Sequence, residues 1–433
     1  MEIPENPPST ADRSLAPLVA PVINVSSPAS GLAGTTVTLT GSGFTGVTAV
    51  TFGGTPASSF TVVSATRITA VAPAGSGTVQ IVVTTTGGTS NGIGFTYTVA
   101  TPVIASVAPN QGPVAGGNTV TLTGSAFTGA TAVRFGTTAA AFTIVSATQV
   151  TATAPAGAGT VGVTITTPGG TSNAVSYTYV SAPALTSVTP NQGPLAGGNT
   201  VTLTGTNLTA ATAVTFGGAP AGSFTVVSAT QITATPPAAP AGPVAVVVTT
   251  PGGSTPGDVF YYYLTAPVLT GVSPASGPTA GGNTVILTGT GLVTATAVHF
   301  GATAATFTVV SDVQINAVAP AGAAGSTALT VVTPGGTSNA VPYAYAAAPG
   351  LTAIAPNQGP LAGGTIVTLT GSNLTGATAV LFGSTPAAFT AVSDTQLTAT
   401  APPGPAGPVS VTATTPGGTT PALPFTRLSP PGI

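Results

Sequence analysis

The 433-residue chain contains no cysteine, no lysine and no tryptophan, and it has a single histidine. The absence of cysteine excludes disulfides and thiolate metal sites. Charged residues make up 2% of the chain, with four basic and six acidic side chains. Nucleic-acid binding needs clustered cations that replace the counterions around phosphates, so four scattered arginines exclude nucleic acid as a partner.

Long apolar runs are also missing. No stretch approaches the roughly 18 to 20 apolar residues of a membrane helix, so we expect no membrane insertion. The apolar piece between Leu15 and Ala20 is short and contains Pro17, and the chain starts with acidic residues. It does not form a recognisable signal peptide. Three alternatives stay open: a signal already removed, another export route, or retention in the cell until release.

One motif organises what is present. Between Pro190 and Gly205 a Pro- and Gly-rich turn precedes an alternation in which Val201 and Leu203 face a core and the threonines face water. Near copies occupy residues 109–124, 274–289 and 356–371, and a more divergent copy occupies residues 28–41. The chain is therefore one β-rich module written five times.

The copies predict the domain organisation. We expect an N-terminal arm at residues 1–20, followed by modules 1 to 5 at residues 21–100, 101–182, 183–266, 267–348 and 349–433. Each module has about seven short strands and enough apolar residues for its own sandwich core. The junctions are three or four residues long and contain proline, which predicts an extended rod.

The repeated motifs are specific enough to indicate a family. The pattern P-x-x-G-P-x-x-G-G-x-x-V-x-L-T-G-x-x-L at Pro190–Leu208, V-x-F-G at Val214–Gly217, and the closing hairpin at Thr250–Pro256 resemble the IPT/TIG immunoglobulin-like domain. The resemblance covers about residues 21–427. It implies an all-β fold of five tandem early-set immunoglobulin-like sandwiches. The family includes receptor ectodomains, transcription-factor dimerisation domains, modules of starch-acting enzymes and bacterial surface proteins, and it carries no catalytic residue over to this chain.

No set of residues predicts chemistry. The histidine, His299, falls on the solvent side of its strand and has no partner near in sequence. Asp258, Asp312 and Asp394 are single acids in different modules, whereas calcium sites need clustered carboxylates. We therefore predict no catalytic, cofactor-binding or metal residues and a protein that is not an enzyme.

Residues 1–20 allow two interpretations. They form a disordered leader, or they form an arm that adds a strand to a sheet edge of a neighbouring subunit through Leu15, Leu18 and Val19. At the other end of the chain, Arg427 replaces a tyrosine that the closing strands of the preceding modules supply as Tyr97, Tyr179, Tyr262 and Tyr345. We expect those tyrosines to pack at the junctions and module 5 to be a cap.

The closing strand of module 3 is rich in aromatic residues. Alignment from the module boundaries places Phe260 and Tyr262 inward and leaves Tyr261 and Tyr263 on the exposed face. Tyr261 and Tyr263 are therefore candidate surface aromatics that stack against a sugar ring or a neighbouring subunit. An ordinary surface or junction contact is the alternative.

The low charge removes most of the repulsion between copies of the chain, which favours self-association. We therefore predict a structural protein of the bacterial surface or extracellular space, a fibre or filament subunit that self-assembles through its ends and its N-terminal arm. The alternative is an adhesin stalk, a phage-type fibre or a carbohydrate-binding array. In that case the partner is a glycan or a cell-surface ligand.

Overall fold

The computed structural model describes residues 19–429, and all regular secondary structure among them is β-strand, which confirms the predicted fold class. The chain divides into two compact units. The first unit ends at Ala182, holds modules 1 and 2, and also takes in Pro251–Gly253. The second unit holds the rest of module 3 and modules 4 and 5.

Modules 1 and 2 contain nineteen strands, numbered in chain order. Strands β1 to β10 are Val22–Ser27, Ser30–Gly31, Thr36–Ser42, Val47–Phe52, Thr55–Pro56, Ser59–Ser64, Arg67–Val71, Thr78–Thr85, Gly88–Thr89 and Ile93–Tyr97. Strands β11 to β19 are Val103–Ala108, Gln111–Pro113, Thr119–Ser125, Ala132–Phe135, Thr138–Ser146, Gln149–Thr153, Thr160–Thr167, Gly170–Thr171 and Val175–Val180.

The other three modules repeat the same order. Strands β20 to β29 of module 3 are Ala184–Thr189, Gln192–Pro194, Val201–Thr206, Ala213–Phe216, Ala219–Pro220, Ser223–Ser228, Gln231–Thr235, Gly242–Thr250, Gly253–Ser254 and Phe260–Leu264. Strands β30 to β38 of module 4 are Val268–Ser273, Ser276–Pro278, Thr284–Thr290, Ala297–Phe300, Thr303–Ser311, Gln314–Val318, Gly325–Thr333, Gly336–Thr337 and Val341–Ala346. Strands β39 to β48 of module 5 are Gly350–Ala355, Gln358–Pro360, Ile366–Ser372, Ala379–Phe382, Thr385–Pro386, Phe389–Ser393, Gln396–Thr400, Gly407–Thr415, Gly418–Thr419 and Leu423–Leu428.

The period-two pattern places the core as predicted. Val201 and Leu203 of β22 are 1% and 0% exposed, while the alternate Thr204 faces solvent. Val214 and Phe216 of β23 are buried in the same way. Each module closes a separate apolar core, so each buries its own hydrophobic surface and depends little on its neighbours for it.

Modules 1, 3 and 5 differ from modules 2 and 4 in how their sheets connect. Module 1 has a four-stranded sheet ordered β1-β3-β7-β6 and a six-stranded sheet in which β9 joins the path β2-β10-β8-β4-β5. In module 2 one long strand, β15, pairs with both β14 and β16 and links the two layers into a nine-stranded sheet.

Proline explains the difference. The odd-numbered modules carry a proline in the second position of this segment, at Pro56, Pro220 and Pro386, where modules 2 and 4 have Ala139 and Ala304. Proline has no N–H to donate to a ladder and fixes its own φ. The strand therefore ends at the proline in the odd-numbered modules, and a new strand begins on the other sheet.

Candidate interaction surfaces

The linker entering a module is held against that module's Gly-Gly turn. In module 2 the Cα of Gly169 lies so close to the carbonyl of Ala100 that a methyl group there would overlap the oxygen. Thr101 Oγ1 also donates a hydrogen bond of 3.2 Å to the Gly169 carbonyl. Gly335 and Gly417 make the same close approach to the linkers that enter modules 4 and 5. Glycine is required because only a residue without Cβ admits the linker backbone.

Modules 4 and 5 enclose a cleft of about 420 Å³ at their junction. The opening motif of module 4 provides one wall, and the turn and neighbouring strand of module 5 provide the other. The lining residues are Pro274, Ser276, Gly277, Pro278, Asn283, Thr378, Thr415 and Pro416. None of them titrates near neutral pH, so this cleft is a junction surface without acid–base chemistry.

Two residues of each closing strand, spaced two apart, enter the core of their own module. In module 3 the Tyr261 hydroxyl donates to Asn199 Oδ1 at 2.8 Å and the Tyr263 hydroxyl donates to the Pro237 carbonyl at 2.6 Å. The two rings meet edge to face with centroids 5.0 Å apart. Burial raises the pKa of both hydroxyls, to about 12 for Tyr263, where the neighbouring Tyr261 phenol contributes further.

The prediction that Tyr261 and Tyr263 are surface aromatics is therefore wrong. They are 0% and 1% exposed, whereas Phe260 and Tyr262 are 44% and 39% exposed. The hairpin of module 3 contains one more residue than the others, since eight positions separate Gly253 from Tyr261 and seven separate the equivalent pairs. A shift of one residue moves every side chain of a strand to the other face. Counting back six residues from Pro183, Pro267 and Pro349 would have found the buried tyrosines.

The closing-strand tyrosines are core residues and not junction residues, which corrects a second expectation. Tyr179 is 6% exposed, and its hydroxyl donates to the carbonyl of Pro155 in the same module at 2.8 Å. The equivalent tyrosine of module 3 is Tyr263, not Tyr262. The replacement by Arg427 in module 5 consequently changes a core, and the cap remains a prediction.

Arg427 occupies the space of that buried tyrosine. It is 5% exposed, its Nε donates to the Pro402 carbonyl at 3.2 Å, and its Nη2 is buried without a hydrogen-bond partner among residues 19–429. Gly404 lies against the guanidinium as Gly157 lies against the Tyr179 ring. A buried cation with an unsatisfied nitrogen destabilises the fold around it.

The remaining ionisable groups do not converge. His299 is half-buried on β33, opposite Ala304 and Thr330. Asp312 and Asp394 accept hydrogen bonds of 3.3 to 3.4 Å from backbone N–H groups of nearby turns. No group of three or more His, Cys, Asp or Glu side chains that could hold a metal occurs in the described part of the chain.

Open sheet edges provide another surface. Among the described residues, strand β44 of module 5 pairs only with β45, and a groove of about 260 Å³ crosses β41, β45 and β44. The groove is lined by Ile366, Ala388, Phe389, Thr390, Thr398, Ala399 and Thr400. Ile366 is 68% exposed, and the other four modules have threonine at this position.

The predicted assembly contacts lie at the other end of the chain. Val19 is 71% exposed, whereas Leu15 and Leu18 lie outside the described residues. Docking of these three residues remains a prediction. Between residues 19 and 429 no helix is long and apolar enough to cross a membrane.

Comparison with known proteins identifies the repeat. A family model described as IPT/TIG domain matches residues 21–97, 102–179, 183–263, 267–345 and 349–426. Fibrocystin-L of Mus musculus is 35% identical over 115 residues, which are 26% of this chain and 3% of fibrocystin-L. The plexin A4 extracellular region, domains 1 to 10, aligns at 17% identity and a TM-score of 0.32, over 89% of this chain and 47% of that chain. The Escherichia coli adhesin FdeC aligns at 20% identity and a TM-score of 0.24, over 58% of this chain and 98% of that chain.

Proposed function

The chain belongs to the IPT/TIG domain family, and we propose that it is a non-enzymatic structural protein of the extracellular space or cell surface whose copies join end to end. The observation that carries the proposal is the groove of module 5 that extends from Ile366 on β41 across β45 to the open edge strand β44. An exposed edge with free backbone N–H and C=O groups is a template for another strand. Ile366 makes this groove more apolar than its threonine-containing counterparts.

The occupant is the N-terminal segment of a second copy. In an extended strand Leu15 and Val19 point to the same face, because they are four residues apart, and Leu18 points to the other. Strand addition supplies main-chain hydrogen bonds, while the two apolar side chains enter the groove. The segment starts from the protein surface, since Val19 is exposed. A contact between unlike ends produces a filament when its rotation does not close into a ring.

Composition supports the same role. The formal net charge is −2 over 433 residues, so copies of the chain repel one another weakly. Asp312 and Asp394 accept hydrogen bonds from backbone N–H groups of turns, and the hydroxyls of the buried tyrosines donate hydrogen bonds inside the core. These side chains are committed to structure, which favours a non-catalytic protein.

The test is negative-stain electron microscopy of the full-length chain over a range of concentrations. We expect fibres from the wild type and isolated particles from a variant without residues 1–20. Ile366→Thr should also remove the fibres without unfolding module 5, because threonine occupies this position in the other four modules. Val227→Thr is the matched control, since Val227 is 55% exposed on the equivalent edge strand of module 3.

Each other outcome is informative. Normal fibres from the truncated chain would show that the arm mechanism is wrong. If Ile366→Thr forms normal fibres and the truncated chain forms none, the surface that accepts the N-terminal segment is not this groove. Isolated wild-type particles at every concentration would refute the filament and favour an adhesin stalk or a binding array.

A further inference from the structure

We propose that the outer sheet face of module 3 binds a neutral saccharide chain through Phe260 and Tyr262. These two side chains, with Asp258 and Gln192 beside them, are called the aromatic face here. The inference does not rest on end-to-end assembly, because the aromatic face is on a different module from both the groove and residues 1–20. It arises from the corrected register of β29, which exposes one pair of aromatic residues while it buries the other.

The exposed pair is a feature of module 3 alone. The equivalent outer positions of the other modules hold small or non-aromatic residues, namely Gly94 and Thr96, Ser176 and Thr178, Pro342 and Ala344, and Pro424 and Thr426. Four modules therefore form the same strand without aromatic residues at these positions. Folding of β29 does not require Phe260 or Tyr262, so their presence calls for another cause.

The two rings are uncovered. Phe260 and Tyr262 are two residues apart on one strand, so their Cα atoms are about 6.6 Å apart and their side chains share a face. Their neighbours across β27 are Ala245 and Pro243, which are too small to cover an aromatic ring. On the other side Tyr262 is opposite Gln192 of β21. The result is a short row of two rings bordered by an amide.

The inserted residue of the hairpin completes this surface. Gly257 has φ of +81°, a conformation that favours glycine, and a Cβ at this position would contact the side chains of Ala245 and Val247. The exposed Asp258 follows and stands two residues before Phe260. Asp258 thus precedes the row along the chain and Gln192 is opposite its second ring, and the carboxylate and the amide can both bond hydroxyl groups.

The size and charge of the aromatic face select the ligand class. Two aromatic side chains exposed to about this extent offer on the order of 200 Å², whereas a stable protein interface buries about 800 Å² on each partner. The face has no cation for a phosphate or carboxylate ligand. A pyranose ring presents a C–H face that stacks on an aromatic ring and a rim of hydroxyls that bond to amide, phenol and carboxylate groups. Two rings in a row suit consecutive sugar units.

The experiment is native affinity electrophoresis of the full-length chain in gels that contain xyloglucan, mixed-linkage β-glucan, soluble starch or galactomannan. We expect at least one of the four to retard the wild type. Phe260→Ser combined with Tyr262→Thr should weaken binding at least tenfold, because it removes both stacking surfaces. This variant should fold, since it introduces the residues that module 2 carries as Ser176 and Thr178. Asp258→Asn should weaken binding severalfold while leaving stacking intact.

Two controls separate the site from general effects. Val310→Thr with Val392→Thr removes two exposed apolar residues from modules 4 and 5 and should leave retardation unchanged. The chain without residues 1–20 should bind as the wild type does, even where it no longer forms fibres. Absence of retardation by all four polysaccharides, or equal retardation of the double aromatic variant, would overturn the proposal. So would sedimentation showing that the aromatic pair mediates self-association, since a second copy would then cover this face.

Discussion

Each closing strand has two buried positions, and the aromatic residue at the first of them faces a residue of the opening motif. Across the five modules this pair of residues occurs in two combinations. Modules 2, 3 and 4 combine a tyrosine with an asparagine, as in Tyr261 and Asn199. Modules 1 and 5 combine a phenylalanine with a threonine, as in Phe425 and Thr365, which both lie against Gly359. We predict that each combination is stable and that a mixture of the two is not.

The magnitude follows from the hydrogen bond. Tyr261→Phe leaves the Asn199 amide without its partner at 2.8 Å, and Asn199→Thr leaves a fully buried phenol hydroxyl unsatisfied. Each single change should cost about 1–2 kcal/mol. The double variant reproduces the combination of modules 1 and 5 and should lie within about 1 kcal/mol of the wild type. The two single losses sum to about 2–4 kcal/mol, so the coupling energy is about 1–4 kcal/mol, far from additivity.

Hydrogen exchange followed by mass spectrometry on the full-length chain can measure this cycle. The segment 256–264 has a sequence found in no other module, so its peptides report on module 3. A loss of about 1.4 kcal/mol should accelerate exchange of protected amides roughly tenfold. Module 2 of the same molecule is the internal reference. If the double variant exchanges as fast as the two single losses together predict, the hydrogen-bonded pair does not explain the two combinations.

Three further outcomes are expected. Gly417→Ala should lower the free energy of unfolding by about 1–3 kcal/mol and speed hydrogen exchange in the linker entering module 5. Gly94→Ala is the control and should not change exchange, because its Cβ would meet only a side-chain atom 4.0 Å away. Arg427→Tyr should stabilise module 5 by about 1–2 kcal/mol, seen as slower exchange in residues 423–428, and faster exchange there would contradict the account of the unsatisfied guanidinium. Stability to urea should fall between pH 10 and pH 12. A tyrosine in the unfolded chain has a pKa near 10, whereas burial raises the pKa of Tyr263 to about 12. In this pH range the unfolded state therefore binds fewer protons than the folded state, and the free energy of unfolding decreases as the pH rises. A constant urea midpoint over this range, or a decline that Tyr263→Phe does not reduce, would refute the assignment.

Local patterns in the sequence were sufficient to predict much of the fold. The alternation around Val201 and Leu203 identifies a half-buried strand, and burial of both residues confirms it. Seven strands of four or more residues in module 3 also agree with the predicted number. These predictions succeed because alternation over five residues is a property of one strand and needs no knowledge of its partners.

The exposed aromatic pair could not be placed by counting from the start of a module. Insertions in module 3, one of them in the closing hairpin, change the count, and a single-residue error exchanges Phe260 and Tyr262 with Tyr261 and Tyr263. The groove at Ile366 was missed for another reason. Ile366 lies on β41, and the groove forms because β45 and β44 follow β41 in the sheet, an order that is set by tertiary pairing across the module.

Differences among the five modules are more informative than their similarity. The tyrosine-asparagine and phenylalanine-threonine combinations, and the proline that ends a strand in modules 1, 3 and 5, each have a structural partner or consequence inside the module. No such partner inside the module accounts for Phe260, Tyr262 and Ile366. These side chains are exposed, and the other modules have smaller or more polar residues at the equivalent positions. Exposed apolar side chains that lie together in a patch mark interaction sites, whereas single scattered ones need no explanation. The search for what this protein contacts should therefore begin at these three side chains.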